Sequence, residues 1–162
     1  MKVCAFAGTF DPITNGHVYV IEKCLECFDK VVVAVGINQD KKPLFDIEER
    51  KDVIKKVFKD NDRVEVKEFD GLLIDFLKKE NIKINVRGIR DEVDYKYETK
   101  MARFNLDMFP EIITLYIPTP AELVHVSSSA VRNIMSYGTE PEKYLPAPSL
   151  EAVKEKLKKA KN

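Results

Sequence analysis

Short apolar runs rich in β-branched residues alternate with helical periodicities along the chain, and that alternation limits its possible folds more than any other feature. Residues 2–7, 30–37, 63–69, 84–86 and 112–117 each read as a strand. Between them, Val18, Ile21, Leu25 and Phe28 recur at spacings of three and four. Val53, Ile54, Val57 and Phe58 follow the same rule, as do Leu72, Leu73, Phe76 and Leu77. The connection over residues 95–108 carries Tyr97, Met101 and Phe104 on a mixed face, which predicts a half-buried helix. Strands that alternate with helices in this way form a parallel sheet covered by helices. The expected fold class is therefore α/β, a five-stranded parallel sheet of Rossmann type with a C-terminal helical segment. In such sheets ligands bind beyond the carboxyl ends of the strands, where the strand order reverses.

At 162 residues, with 44% apolar residues, the chain has the size of one domain over residues 1–162. Beyond the fifth strand, Pro118 and Pro120 break the pattern. Ser127-Ser128-Ser129 then reads as the start of a helix over residues 130–137, ended by Gly138. Ser149 reads as the cap of a last, lysine-rich helix reaching Ala160.

Lys plus Arg and Asp plus Glu stand at 27 each, so the chain has no net charge. That argues against binding long nucleic acid, which requires many neutralised phosphates. No run approaches the length of a membrane span. Asp11 and Pro12 interrupt the only segment resembling a secretion signal, so a cytoplasmic protein is expected. Cys24-Leu25-Glu26-Cys27 has the spacing of redox and zinc sites, but only Cys4, His17 and His125 remain to complete a four-ligand set. It also lies inside a helical pattern rather than at its start, so reduced cysteines packed in or beside the core are expected, with no protein metal site.

The chemistry concentrates directly after the first strand, in Gly8-Thr9-Phe10-Asp11-Pro12-Ile13-Thr14-Asn15-Gly16-His17. This segment brings free backbone N–H groups and the positive end of a helix to the sheet's ligand-binding edge. Gly8 suits a sharp turn there, and Gly16 an approach of ligand to backbone. His17, at the helix start, can donate a hydrogen bond where charge develops on a phosphate, and Thr9 adds a hydroxyl. Singly, each of these residues also suits an ordinary turn. Neither G-x-x-x-x-G-K-[ST] nor G-x-G-x-x-G is present, so ATP would need a different cradle.

The segment resembles the T/H-x-G-H signature of the nucleotidylyltransferase superfamily, and its full wording is similar to that of the bacterial phosphopantetheine adenylyltransferases. The resemblance continues through Lys41-Lys42-Pro43-Leu44-Phe45, Glu48-Glu49-Arg50, Arg87-Gly88-Ile89-Arg90, Asp94 to Glu98 and Ser127-Ser128-Ser129. It implies a nucleotidylyltransferase fold and the transfer of AMP from ATP to 4'-phosphopantetheine, giving dephospho-coenzyme A and pyrophosphate. It implies His17, Lys41 and Arg90 as catalytic residues. ATP would be held by Thr9, Phe10, His17, Gly88, Ile89, Arg90, Glu98, Leu123, Val124, His125, Val126, Ser127, Ser128 and Ser129. Thr9, Lys41, Leu73 and Arg87 would hold the acceptor. Mg²⁺ is expected to arrive with ATP, and a homohexamer is implied.

Each implied role also has a physical basis in the sequence. Lys41 follows the second strand, where a flexible ammonium can serve as a point charge for phosphate. Arg87 and Arg90 flank Gly88 after the fourth strand, and their guanidiniums suit phosphates or, alternatively, the neighbouring acids Asp91, Glu92 and Asp94. Two departures stand out: Leu123 and His125 occupy places often aromatic in these families, and Phe6-Ala7 stands where Tyr-Pro is common. Relatives acting on nicotinamide or glycerol-type acceptors usually carry a second histidine where this chain has Asn15. A catalytically idle nucleotide-binding module and a protein built on the Cys24–Cys27 spacing are the remaining alternatives.

Overall fold

A computed structural model of the chain describes residues 1–37 and 43–160. Five strands, β1 (Val3–Gly8), β2 (Lys30–Gly36), β3 (Val64–Phe69), β4 (Ile84–Ile89) and β5 (Ile113–Pro118), form one parallel sheet in the order β3-β2-β1-β4-β5. Six helices connect and follow them: α1 (Asn15–Cys27), α2 (Ile47–Val57), α3 (Leu73–Lys79), α4 (Glu92–Met108), α5 (Ser128–Ser136) and α6 (Ala147–Ala160). The fourth strand runs to Ile89, three residues beyond its apolar run, because Arg87-Gly88-Ile89 pairs with Tyr116-Ile117-Pro118 of β5.

The central strands are apolar on both sides, as a sheet covered by helices requires. Cys4 and Phe6 of β1, with Val31, Val33 and Val35 of β2, face α1 and α2. The alternate residues Ala5, Ala7, Val32 and Ala34 face α3 through Ile74, Phe76 and Leu77. Each fully buried valine contributes about 1.5–3 kcal/mol relative to an exposed one. A third cluster joins Phe45 to Val131 and Met135 of α5, to Leu145, and to Val153 of α6.

Asp46 caps α2, accepting from Glu49 N–H at 2.8 Å, while the Glu49 carboxylate accepts from Asp46 N–H at 2.9 Å. The α5 helix closes as its sequence predicts: Gly138 lies at φ 74° and donates its N–H to Met135 O. The last helix differs from expectation. It begins at Ala147, ahead of Ser149, because Pro148 falls in the first turn, where a missing N–H costs nothing. Ser149 is therefore not its cap; the hydroxyl is buried and finds no hydrogen-bond partner among the described residues.

Helix α4 is more exposed than its mixed face predicts, since none of its residues is fully buried. Val93, Tyr95, Tyr97 and Phe104 of α4 are exposed, and so are Ile113 and Leu115, which lie on the opposite side of the edge strand β5 from Tyr116, against which Tyr95 packs. Cys24 lies in the core beside Cys4, whereas Cys27 ends α1 in solvent, so the two point apart. Its hydrogen bond to Cys24, together with burial, pushes the Cys4 thiol up, away from the thiolate. No described helix is long and apolar enough to cross a membrane.

Candidate active site

The strand order reverses between β1 and β4, and a cavity of about 440 Å³ opens beyond the carboxyl ends of those two strands. The segment from Gly8 to His17 forms its floor. Gly8 serves this segment by leaving space: a Cβ there would come within 3.1 Å of the Phe10 ring. The sharp bend falls instead on Phe10, a residue with φ 51° that is only 2% exposed. Left-handed backbone is costly for an aromatic residue and persists only where packing fixes it. Here the Phe10 ring packs edge-on against Phe6, with centroids 5.5 Å apart, and against His17, at 5.0 Å. The ring thus belongs to the core, where it also supports the cavity wall.

Thr14 precedes the first turn of α1 with extended backbone. Its N–H donates to His17 Nδ1 at 3.0 Å, and its hydroxyl lies 3.1 Å from the same nitrogen. Because Nδ1 accepts, the imidazole proton resides on Nε2, which becomes the donor for a ligand. Burial, with the guanidiniums of Arg90 and Arg87 nearby, lowers the His17 pKa to about 4. The ring is neutral at physiological pH, a hydrogen-bond donor rather than a cation.

From β4, Arg87 donates to both Glu98 oxygens, at 2.9 and 2.6 Å, and to Ala7 O at 2.5 Å. Arg90 forks onto Asp94 in the same manner, at 2.8 and 3.0 Å. That contact, led by its hydrogen bond, holds the Asp94 carboxyl below its usual range and pushes the Arg90 pKa up. Arg90 therefore does pair with the acidic run, whereas Arg87 pairs with Glu98 instead. Gly88 between them is required by packing, since a Cβ there would lie 2.9 Å from a Val20 methyl.

The opposite wall comes from α5. Ser127 caps this helix by accepting from Ala130 N–H at 3.1 Å. Ser128 donates its hydroxyl to Pro12 O at 2.8 Å, and Arg132 donates to Asp11 O at 2.7 Å and to Ser129 Oγ at 3.3 Å. First-turn N–H groups have no partner within a helix, so the positive ends of α1 and α5 both converge on the cavity.

Of the residues singled out in the sequence, Thr9, Phe10, His17, Arg87, Gly88, Arg90, Glu98, Val126, Ser127, Ser128 and Ser129 line this one cavity. Leu73, Ile89, Leu123, Val124 and His125 lie outside its wall. Leu73 packs with the α3 cluster, and His125 stands exposed, edge-on to Tyr144 at 5.6 Å. Lys41 lies outside the described residues. Arg50, Asp94, Thr119 and Arg132 also stand in the wall with no local sequence signal to mark them, and Asp11, a turn residue by sequence, lines it too.

A family model described as cytidylyltransferase-like matches residues 5–134. The phosphopantetheine adenylyltransferase of Clostridium tetani is 46% identical over 138 residues, covering 85% of this chain and 86% of its own. That of Clostridium perfringens strain SM101 is 40% identical over 157 residues, covering 97% and 96%. The chain belongs to the phosphopantetheine adenylyltransferase family. Among solved structures, a bifunctional NMN adenylyltransferase/ADP ribose pyrophosphatase from Francisella tularensis superposes with a TM-score of 0.75 at 17% identity. That match covers 95% of this chain and 49% of the other, and it bears on the fold alone. The cavity's cationic, donor-rich wall suits the nucleotidyl transfer of that family.

Proposed function

We propose that this member of the phosphopantetheine adenylyltransferase family transfers the adenylyl group of ATP to 4'-phosphopantetheine, giving dephospho-coenzyme A and pyrophosphate. The observation that carries the reading is the neutral His17, its Nδ1 engaged by Thr14 and its Nε2–H left as a donor in a cavity lined by four arginines. An acceptor phosphate oxygen attacks the α-phosphorus of ATP. The bond from that phosphorus to the bridging oxygen breaks, and pyrophosphate leaves. A phosphate monoester is ionised near neutral pH, so the step needs no strong base and no covalent enzyme intermediate. His17 donates to an oxygen on the α-phosphorus, where a preorganised donor gains strength as charge develops. Arg87, Arg90 and Arg132, with the ends of α1 and α5, align the two anionic substrates.

The cavity's carboxylates already accept from protein donors: Asp11 from Leu44 and Phe45 N–H, Asp94 from Arg90 and Glu98 from Arg87. Mg²⁺ held by the triphosphate itself, supplying further charge neutralisation, agrees with that arrangement. Lys41 anchors the acceptor phosphate in this reading, on the strength of the matching sequence. The exposed apolar residues of α4 and, on the other side of the sheet edge, of β5 support self-association, and a homohexamer is the assembly we infer, to be measured by light scattering. Three free cysteines suit a reducing cytoplasm.

The test is ATP-dependent pyrophosphate release against a panel of phosphorylated acceptors. Turnover with 4'-phosphopantetheine is expected. Turnover with nicotinate or nicotinamide mononucleotide instead would overturn the assignment, and no turnover with any acceptor would favour an idle nucleotide-binding module.

A further inference from the structure

Arg50 is 4% exposed and stands on α2, in the cavity wall, yet the adenylyl-transfer reading gives it no contact with substrate. Its Nη1 donates to Thr9 O at 2.8 Å and to Gly36 O at 3.0 Å, and Nε reaches Asp46 O at 3.4 Å. No carboxylate among the described residues lies within ion-pairing distance of it. Three carbonyls are a costly set of partners for a buried cation, whose desolvation a carboxylate would offset better. Burial disfavours the charge, the Asp11 and Asp46 carboxylates favour it from beyond ion-pairing distance, and the direct partners are all backbone carbonyls.

The two nearer carbonyls have a common position. Gly36 ends β2, and Thr9 directly follows β1, the neighbouring strand. In a planar trans peptide the C=O and the following N–H point in opposite directions. Arg50, by holding the Thr9 carbonyl on the α2 side, therefore turns the Phe10 N–H the other way. The Phe10 ring is committed to the core, so that N–H is the polar group this residue can offer a ligand. Its left-handed backbone sets the same peptide from the other side.

We propose that Arg50 is a positioning residue: it fixes the plane of the Thr9–Phe10 peptide against the end of β2 and thereby aims the Phe10 N–H at the ATP phosphates. The proposal rests on the adenylyl-transfer reading for the presence of ATP, but not for the identity of the acceptor.

Arg50→Gln removes the charge and reaches one carbonyl at most; Arg50→Lys keeps the charge and loses the planar fork. In the parental protein, saturating ATP slows hydrogen exchange at the Phe10 amide. In the Gln variant, with native circular dichroism, that ATP-dependent protection is lost, and kcat/KM for ATP falls on the order of tenfold to a hundredfold, the scale of a misplaced donor. The Lys variant recovers part of both. A folded Gln variant with parental protection or parental kcat/KM overturns the proposal. If the Gln variant does not fold, the Lys variant decides: reduced protection with reduced kcat/KM supports the role, and parental values in it overturn the role. ATP protection is read without acceptor. A wrong acceptor assignment therefore appears only in the parental acceptor panel, and a wrong role for Arg50 only in the variants.

Discussion

Thr14 and His17 are joined across the first turn of α1, the Thr14 N–H donating to His17 Nδ1 at 3.0 Å. The bond occupies the position of a capping box, in which the third helical residue reaches back to the cap. Here that third residue is an imidazole, so the interaction that starts the helix also assigns the ring's proton to the nitrogen facing the cavity.

His17→Ala is expected to fold and to lose kcat by about 10² to 10³, the usual cost of removing one preorganised donor. Circular dichroism and single-turnover rates check this. Near-parental kcat in a folded variant would remove His17 from the mechanism.

The pH dependence follows from the direction of the shift. His17 titrates near 4 in the folded protein and near 6.5 in the unfolded chain, so below pH 6.5 the unfolded state binds the extra proton first. This group therefore gives stability that is present above pH 6.5 and declines as pH falls toward 4. The acid limb of kcat/KM should accordingly lack a histidine titration near 6.5. An NMR titration of the His17 ring showing a midpoint near 6.5 would contradict the enclosed, neutral imidazole.

Cys27→Ser, at an exposed helix end, should change neither activity nor melting temperature. Cys24→Ser places a hydroxyl in the core beside Cys4 and should cost roughly 1–3 kcal/mol while leaving kcat unchanged. Thermal melts and turnover numbers separate the two. Activity lost at an unchanged melting temperature would point to thiol chemistry instead.

Phe10→Ala should destabilise the protein by about 3–5 kcal/mol, since it removes a ring packed between Phe6 and His17. The same change frees the His17 ring, so kcat should fall even at temperatures where the variant is fully folded. Denaturant melts paired with rates at low temperature check both effects. A stable variant with parental kcat would show that the Phe10 ring supports neither the fold nor the imidazole.

The strands were legible because β-branched runs and turn residues are local signals, and strand limits differed from the observed ones mainly at β4. There Arg87-Gly88-Ile89 is not a strand-like sequence by itself; pairing with β5 extends the ladder over it. The periodicity of helix α4 predicts half-burial, but the degree of exposure depends on what covers the sheet edge, which a local pattern does not encode. The Gly8–His17 segment, which lines the cavity, stands out in the sequence because its unusual residues are contiguous. The opposing wall was legible only in part, through Ser127-Ser128-Ser129.

What the sequence alone determined was therefore the set of elements, their order and the segment that forms the cavity floor, all carried by neighbours along the chain. Tertiary structure alone decided the strand order that opens the cavity between β1 and β4, and which distant groups enter it. Arg50 reaches Thr9 across 41 residues and Arg132 reaches Asp11 across 121, through carbonyl contacts that leave no mark on residue type. A backbone carbonyl is the same group at every position, so only the folded geometry selects which one a guanidinium will hold.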